Sequence, residues 1–188
     1  IVIEELAAEC GSTSLVYLSH LSLGVTAIVK FGTEEQANRH VPPLAQGKQI
    51  AAFALTEPGT GSDALALETT AIDDGNHWIL NGTKSFISNG DIANIFIVFA
   101  RDRRPSGYRG ISAFIVERET RGFLVNPMLG KMGLRGSPTS ELIFDSCRIP
   151  KSNLLGPLGG GYQVALRLLT SSRVSVAAQC VGLARGAY

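Results

Sequence analysis

The spacing of apolar residues changes twice along the chain, and this change constrains the fold more than any other feature of the sequence. In residues 1–46, apolar side chains recur three or four positions apart, which is typical of helices. From about residue 50 to residue 150, short runs rich in Ile, Phe and Val predict strands. Helical spacing returns in residues 162–188. The sequence therefore predicts an α+β fold with a helical segment, a central antiparallel β-barrel or sandwich domain, and the start of a second helical domain.

Short local signals place several of these elements. Thr33 is followed three residues later by Gln36, a capping-box pattern that predicts the start of a helix. The turn sequences at residues 73–76 and 81–82 predict hairpins, because Asn and Gly tolerate left-handed backbone angles. Strands are predicted at Ala51–Leu55, His77–Leu80, Ser85–Ile87, Ile95–Ala100, Ile111–Glu117 and Glu141–Phe144.

Proline and glycine mark a boundary between the β segment and the last helix. Pro150, Gly156 and Pro157 are followed by three consecutive glycines at residues 159–161. We therefore expect three parts: residues 1–48, residues 49–157 and residues 158–188. Because the chain begins inside one helical pattern and ends inside another, we also expect it to be an internal segment of a longer protein.

The composition excludes several classes of protein. The chain has 188 residues, of which 45% are hydrophobic and 18% charged, so it can bury a core and is too apolar to be disordered. A net charge of +1 predicts no nucleic-acid partner. Uninterrupted apolar runs stay far below the roughly 20 residues of a membrane helix, so no membrane span is expected. The three cysteines and three histidines are scattered, which predicts neither disulfides nor a metal site and fits a reducing compartment.

The first candidate site segment is residues 56–63, which follow a predicted strand and combine two glycines with three hydroxyl side chains. Glycine lets backbone N–H groups approach a ligand closely, so such a loop can hold a pyrophosphate without lysines. The segment lacks the G-x-G-x-x-G spacing of a Rossmann unit. A tight β-turn explains the same residues and is, on spacing alone, the preferred interpretation.

The second candidate segment is residues 81–90, in which Phe86 and Ser88 are two positions apart on a predicted strand. Alternation along a strand would put both side chains on one face. An aromatic side chain beside a hydroxyl suits a flat heteroaromatic ring, because one packs on the ring and the other bonds to its edge. Ordinary sheet packing also explains the pair without a ligand and, without the first candidate segment, is the preferred interpretation.

Taken together, these segments resemble the acyl-CoA dehydrogenase family of flavoproteins. Residues 53–63 resemble the flavin-loop signature of that family, and residues 80–90 resemble its second flavin strand. Further segments agree in order with the end of its N-terminal helical domain and with the late part of its β domain: residues 30–36 and 42–45, then residues 131–135, 144–145 and 148–150. The resemblance extends over nearly the whole chain.

The resemblance implies both a fold and an activity. Family members are usually homotetramers with an α–β–α order, which makes residues 49–157 the expected FAD-binding domain. They oxidise an acyl-CoA thioester to the trans-2-enoyl-CoA in fatty acid β-oxidation, with hydride transfer to flavin N5, and pass the electrons to an electron-transfer flavoprotein. The implied cofactor is FAD, the implied partners are an acyl-CoA and an electron-transfer flavoprotein, and the implied location is the bacterial cytoplasm or the mitochondrial matrix.

The resemblance also assigns roles in binding the cofactor. Thr56 is expected near the pyrimidine edge of the flavin, the turn at Gly61 and Ser62 at the pyrophosphate, and Ser88 near N5. Phe86 is expected to pack on the ring; many relatives have Trp there and Thr in place of Ser88, which keeps an aromatic face and a hydroxyl. The residues expected to contact FAD are Phe53, Leu55, Thr56, Gly61, Ser62, Phe86, Ile87 and Ser88.

The resemblance implies substrate contacts from Ser62, Thr170 and Arg173, although a solvated helix face or an ion pair explains a lone helix arginine equally well. The catalytic base of the family is a glutamate that most members supply from the second helical domain. Some members place it beside the residue that aligns with Arg173, where this chain has Ser172. We therefore expect no catalytic base in this chain and place the base downstream of Tyr188. Acids in the flavin loop are more typical acceptors of backbone hydrogen bonds than bases, so none is nominated there.

Three functions fit the sequence. The first is an FAD-dependent acyl-CoA dehydrogenase. The second is an acyl-CoA oxidase or flavin monooxygenase of the same fold, in which reduced flavin reacts with oxygen. The third is a non-catalytic flavin-binding relative.

Overall fold

The computed structural model describes residues 1–102 and 110–188. The helices are α1 (Val2–Glu9), α2 (Gly11–Leu18), a π-helical segment (Ser19–Val25), α3 (Thr26–Phe31), α4 (Glu34–Ala45) and α5 (Gly161–Ala187). The predicted capping box opens α4: Gln36 N–H donates to Thr33 Oγ1 over 3.2 Å, and Thr33 N–H donates to Gln36 Oε1 over 3.0 Å. The start of α4 is therefore determined by its own local sequence.

The described residues form eight strands in one sheet. These are β1 (Ala51–Ala54), β2 (Thr70–Asp73), β3 (His77–Ser88), β4 (Ile95–Arg101), β5 (Ile111–Glu117), β6 (Phe123–Pro127), β7 (Thr139–Pro150) and β8 (Leu154–Leu155). Their order is β6-β7-β3-β2-β4-β5-β8, and β1 pairs with β4. Most neighbours are antiparallel, but β1 runs parallel to β4, with Ala51 opposite Ile95, so the sheet is mixed.

The hairpin predicted at Asn81–Gly82 is wrong. Strand β3 continues straight through these residues, and only its register with β7 shifts between Leu80 and Gly82. Gly82 has a φ of 142° and lies so close to Thr69 that a Cβ would stand 2.7 Å from the Thr69 Cα. The glycine therefore permits a close crossing of two backbones rather than a turn.

The turn predicted at residues 73–76 is present and connects β2 to β3. Asp74 N–H donates to the His77 carbonyl over 3.0 Å, and Gly75 N–H donates to Asp73 Oδ1 over 3.0 Å. Gly75 has a φ of 77°, the left-handed conformation for which glycine is favoured.

The sheet separates two hydrophobic cores, and β4 contributes to both. Its alternate residues Ile97 and Phe99 pack with α3 and α5, while Phe96 and Val98 pack with strand residues. The ring centroids of Phe96 on β4 and Phe123 on β6 are 4.8 Å apart, although these strands are not neighbours in the sheet. The sheet therefore curls over its own core, while its other face is covered by helices.

One helical stretch among the described residues could span a membrane by length and composition. Gly11–Phe31 has 21 residues and a mean hydropathy of 1.4 over its most apolar window. Polar residues interrupt the apolar runs of this stretch. The length of uninterrupted runs therefore predicted no membrane span here. The interior helix of a globular domain passes the same test, and Leu18, Val25 and Ile28 of this stretch are buried in the structure.

The first and last helices cross closely. A Cβ on Gly182 of α5 would stand 2.2 Å from the Glu4 carbonyl oxygen of α1, and a Cβ on Gly186 would stand 2.1 Å from the Ala8 carbonyl oxygen. Arg185 pairs with the carboxylates of Glu4 and Glu5 at 3.0 and 2.6 Å. Small residues therefore set the approach of the two helices, and an ion-pair cluster flanks the crossing.

Candidate active site

A cavity of about 320 Å³ lies where the sheet meets the helices. The eight residues that the sequence predicts for cofactor binding all line it, together with three others from the helices. The lining consists of Ser19, Leu23, Phe53, Leu55, Thr56, Gly61, Ser62, Phe86, Ile87, Ser88 and Leu169. Two segments about thirty residues apart in the sequence therefore form one site.

Three residues of this lining come from helices, and no motif in the sequence predicts them as site residues. Ser19 and Leu23 lie four positions apart on the π-helical segment, and Leu169 lies on α5. In a helical sequence these three residues cannot be distinguished from ordinary core positions, because each belongs to a helix face of apolar or small side chains. A π-helical segment is itself a frequent feature of functional sites, but it leaves no clear trace in the sequence.

The loop after β1 is closed by its own backbone. Glu57 N–H donates to the Thr60 carbonyl over 3.0 Å, and Thr60 N–H donates to the Glu57 carbonyl over 3.2 Å. The Thr60 hydroxyl donates to the Asp63 carbonyl, and Asp63 Oδ1 accepts a hydrogen bond from Leu65 N–H over 3.2 Å. This compact turn leaves Gly61 and Ser62 on the cavity side, with Asp63 acting as a backbone acceptor.

Nothing inside the described structure requires glycine at position 61. A Cβ there would meet no atom within 4 Å, and its φ lies outside the left-handed range. Because neither packing nor backbone conformation explains the residue, the open space beside Gly61 is available to a group that approaches the loop from the cavity.

A β-bulge shapes the opposite wall. The pairing of β3 with β7 shifts register between Lys84 and Ile87, and Phe86 adopts a φ of 58° with 64% of its surface exposed. A bulky residue with positive φ is strained, and such strain is concentrated at functional sites. The bulge breaks the simple alternation expected for Phe86 and Ser88, and Ile87 between them also lines the cavity.

A buried ion pair joins the two walls. Lys84 Nζ lies 2.7 Å from Glu57 Oε1 and donates to the Leu55 carbonyl over 3.1 Å, and the two side chains are 0% and 5% exposed. Glu57 also accepts hydrogen bonds from Glu68 N–H over 2.6 Å and Thr69 N–H over 3.0 Å. Glu57 is thus an acceptor of backbone hydrogen bonds, as expected for an acid of this loop, but its pairing with a lysine in a strand was not predicted from the sequence.

Both members of this pair are charged near neutral pH. Burial lowers the pKa of Lys84 to about 8, against the opposing effect of the Glu57 carboxylate. Burial alone would raise the pKa of Glu57, but the Lys84 cation and the Glu68 N–H donor outweigh it, so the pKa is lowered. The geometry is therefore that of an ammonium shared between a carboxylate and a carbonyl.

The residues predicted to bind substrate are only partly brought to this cavity. Ser62 lines it, whereas Thr170 and Arg173 lie on the exposed side of α5, one and four positions after the lining residue Leu169. Ser172 is buried, and its hydroxyl donates to the Leu169 carbonyl over 3.1 Å. Among the described residues that line the cavity there is no carboxylate.

The lining offers hydroxyls and aromatic rings rather than charges. Ser19, Thr56, Ser62 and Ser88 supply the hydroxyls, and Phe53 and Phe86 supply the rings. Phe53 is supported from behind by Phe99, with ring centroids 4.9 Å apart. Such a cavity suits a flat heteroaromatic group with polar edges.

Comparison with known proteins supports these observations. The family model described as "Acyl-CoA dehydrogenase, middle domain" matches residues 52–147, and the one described as "Acyl-CoA dehydrogenase, N-terminal domain" matches residues 1–48. The short-chain specific acyl-CoA dehydrogenase of Clostridium acetobutylicum is 42% identical over 100% of this chain and 50% of its own length. The chain spans about half the length of the curated relatives it matches.

Solved structures give the same result. A chain in a structure reported for the electron-transferring flavoprotein of Acidaminococcus fermentans matches with a TM-score of 0.96 and 45% identity, over 98% of this chain and 49% of that one. A glutaryl-CoA dehydrogenase of Mycobacterium smegmatis in complex with FADH2 matches with a TM-score of 0.91 and 38% identity, over 98% and 46%. The fold, the family models and the sequence identity agree, and the chain belongs to the acyl-CoA dehydrogenase family.

Proposed function

We propose that this chain carries the flavin site of an FAD-dependent acyl-CoA dehydrogenase that converts an acyl-CoA thioester to the trans-2-enoyl-CoA. One observation carries the proposal: eight residues assigned to the flavin from two separate sequence segments line a single cavity. A cavity of aromatic and hydroxyl side chains, with an unfilled approach beside Gly61, fits the ring and pyrophosphate of FAD.

In the proposed complex, two walls hold the ring. Phe53, Leu55 and Thr56 would contact it from the loop after β1, with the Thr56 hydroxyl toward its pyrimidine edge. Phe86 and Ile87 would flank it from β3, and the Ser88 hydroxyl would stand near N5. Gly61 and Ser62 would receive the pyrophosphate through backbone N–H groups and a hydroxyl.

When bound, FAD supplies the acceptor for the hydride that leaves the β-carbon of the substrate. The residues of this chain orient the ring and direct hydrogen-bond donors toward the edges where negative charge develops. Leu23 and Leu169 add apolar surface from the helical side, which would help to exclude water once the ring is bound.

The substrate would approach from the side of α5. Ser62, Thr170 and Arg173 are proposed to contact the acyl-CoA, with Arg173 supplying positive charge for its phosphate groups. Removal of the α-proton requires a base, and none of the described lining residues is a carboxylate. We propose that a glutamate downstream of residue 188 in the full-length protein supplies it.

Membership in the family also supports proposals about domain division, assembly, electron acceptor and location. We propose the division into residues 1–48, 49–157 and 158–188, a homotetrameric assembly, and an electron-transfer flavoprotein as the electron acceptor. The similarity to the structure reported for the Acidaminococcus flavoprotein supports that partner. Relatives include bacterial and mitochondrial proteins, which supports a location in the bacterial cytoplasm or the mitochondrial matrix.

An anaerobic titration of the full-length protein with acyl-CoAs of different lengths tests this proposal. Loss of the visible absorbance of oxidised flavin with one class of acyl-CoA is the expected result and identifies the substrate. Rapid return of that absorbance in air would instead indicate an oxidase or monooxygenase. Bound FAD that no acyl-CoA reduces would contradict the dehydrogenase assignment and favour a non-catalytic relative.

A further inference from the structure

The backbone carbonyls of residues 55–57, beside the cavity, all accept hydrogen bonds, and one of these bonds comes from the buried ion pair. The Leu55 carbonyl accepts a hydrogen bond from Lys84 Nζ, and the Thr56 carbonyl accepts one from Ser85 N–H over 2.9 Å. The Glu57 carbonyl is bonded to Thr60 N–H. Every carbonyl from residue 55 to residue 57 is therefore held, and the first is held by a buried cation.

Stability alone does not account for a charged pair in this position. Taking an ammonium and a carboxylate out of water is costly, and well-packed apolar residues are often as stabilising as the ion pair they replace. An ammonium has a property that an apolar side chain lacks: it can donate to a carbonyl and a carboxylate at the same time. Lys84 uses this property to fix Leu55 and Glu57 together.

Lys84 also lies at the start of the bulge that shapes the opposite wall. Its side chain is fully buried, while Phe86, two positions later, is exposed at the cavity with a φ of 58°. The register of β3 shifts between Lys84 and Ile87. One anchored residue therefore links the loop after β1 to the strained segment of β3.

We propose that Lys84 is a positioning residue for the flavin, an inference that rests on the proposed function. Through the Leu55 carbonyl and the Glu57 carboxylate, Lys84 holds the 55–62 loop and the Phe86 bulge in the form that receives the ring before the cofactor arrives. Such preorganisation raises affinity because the loop loses little conformational freedom on binding.

The first test replaces Lys84 with Met in the full-length protein, which removes the charge and nearly preserves the length. Titration of the apoprotein with FAD should show a dissociation constant about 10- to 100-fold higher, because hydrogen bonds to a charged donor are lost. The visible circular dichroism of bound flavin should also change. Arg148→Met is the matched control, because Arg148 forms an exposed ion pair with Asp74 and does not line the cavity.

A double variant separates positioning from folding. Lys84→Met leaves the Glu57 carboxylate buried without a cation, so the double variant Lys84→Met/Glu57→Gln, which removes both charges, should recover stability to urea. Its FAD affinity should remain low, because the Leu55 carbonyl still lacks its donor.

Three outcomes would contradict the inference or its basis. Recovery of FAD affinity together with stability in the double variant would show a merely structural role. Wild-type FAD affinity in Lys84→Met would overturn the inference directly. Failure of the unmodified full-length protein to bind FAD would overturn the proposed function and, with it, this role of Lys84.

Discussion

The backbone N–H of Ser85 donates a 2.9 Å hydrogen bond to the carbonyl oxygen of Thr56. This contact joins the loop after β1 to the bulged end of β3, although the two residues are far apart in the sequence. Thr56 lines the cavity, and Ser85 directly precedes Phe86. A change that moves one wall of the cavity is therefore transmitted to the other.

Replacing Ser88 with Ala should slow reduction of the flavin by acyl-CoA about tenfold or more, because a donor to developing charge is removed. FAD affinity should change much less, since seven other predicted contacts remain. Stopped-flow reduction and FAD titration measure the two effects. Ser152→Ala, at an exposed position outside the cavity, serves as the control. Unchanged reduction kinetics would remove Ser88 from the reaction.

Replacing Gly61 with Ala should weaken FAD binding about tenfold without lowering the free energy of unfolding of the apoprotein. The new methyl group has open space in the protein itself but occupies the approach to the loop. Gly59→Ala is a close control, because Gly59 also has open space and does not line the cavity. Equal FAD affinities in the two variants would argue against a pyrophosphate site at Gly61.

His20 should make stability depend on pH. Ala51 N–H donates to its Nδ1 over 3.0 Å, and its Nε2 lies 3.3 Å from the Leu44 carbonyl, so the neutral Nε2–H tautomer fits. Burial lowers the pKa of His20. The hydrogen bond to the Leu44 carbonyl alone would raise this pKa, but the effect of burial is larger. The folded state therefore binds fewer protons than the unfolded state, and stability should fall as the pH drops below about 6.5.

Urea unfolding of the full-length protein at about pH 7.5 and about pH 5.5 measures this loss. In His20→Gln the difference between the two conditions should be smaller. It should not vanish, because burial also lowers the pKa of His40. An undiminished difference in the variant would show that His20 does not titrate with unfolding.

Replacing Gly182 with Ala should destabilise the protein by about 1–3 kcal/mol, as overpacking of a close contact does. Helix propensity alone would give the opposite sign, a gain of about 1 kcal/mol. The Cβ would stand 2.2 Å from the Glu4 carbonyl, so the contact should outweigh propensity. Chemical denaturation measures the difference, and a more stable variant would show that α1 can move away without cost.

Local signals in the sequence were sufficient to predict an element whose conformation depends mainly on residues adjacent in the chain. Thr33 and Gln36 form the predicted capping box, and β5 has the predicted bounds, Ile111–Glu117. Strands β2, β6 and β8 were not predicted, because they are short and partly exposed and lack a continuous apolar pattern. The parallel pairing of β1 with β4 depends on a long crossover connection that brings β4 beside β1 in the same direction, which no local pattern encodes.

In the candidate site, too, some features could be predicted from the sequence, and others depend on contacts between distant segments. The resemblance to the acyl-CoA dehydrogenase family, rather than residue types alone, assigns the two candidate segments to the flavin. The structure brings all eight residues to one cavity, while their role toward FAD stays a prediction. Leu23 and Leu169 lie on helices whose apolar spacing is that of any core helix. The pairing of Lys84 with Glu57 required knowledge of which strands are adjacent, because the two residues are 27 positions apart.

The crossing of α1 and α5 has a consequence for synthesis of the chain. Glu4 and Arg185 are partners separated by 181 positions. At about 5–20 residues per second, α1 leaves the ribosome roughly 10–40 seconds before α5 has been made. Throughout that interval the face of α1 that meets Gly182 and Gly186 has no partner from this chain. Docking of the first helix onto α5 therefore has to wait until most of residues 1–188 have been made.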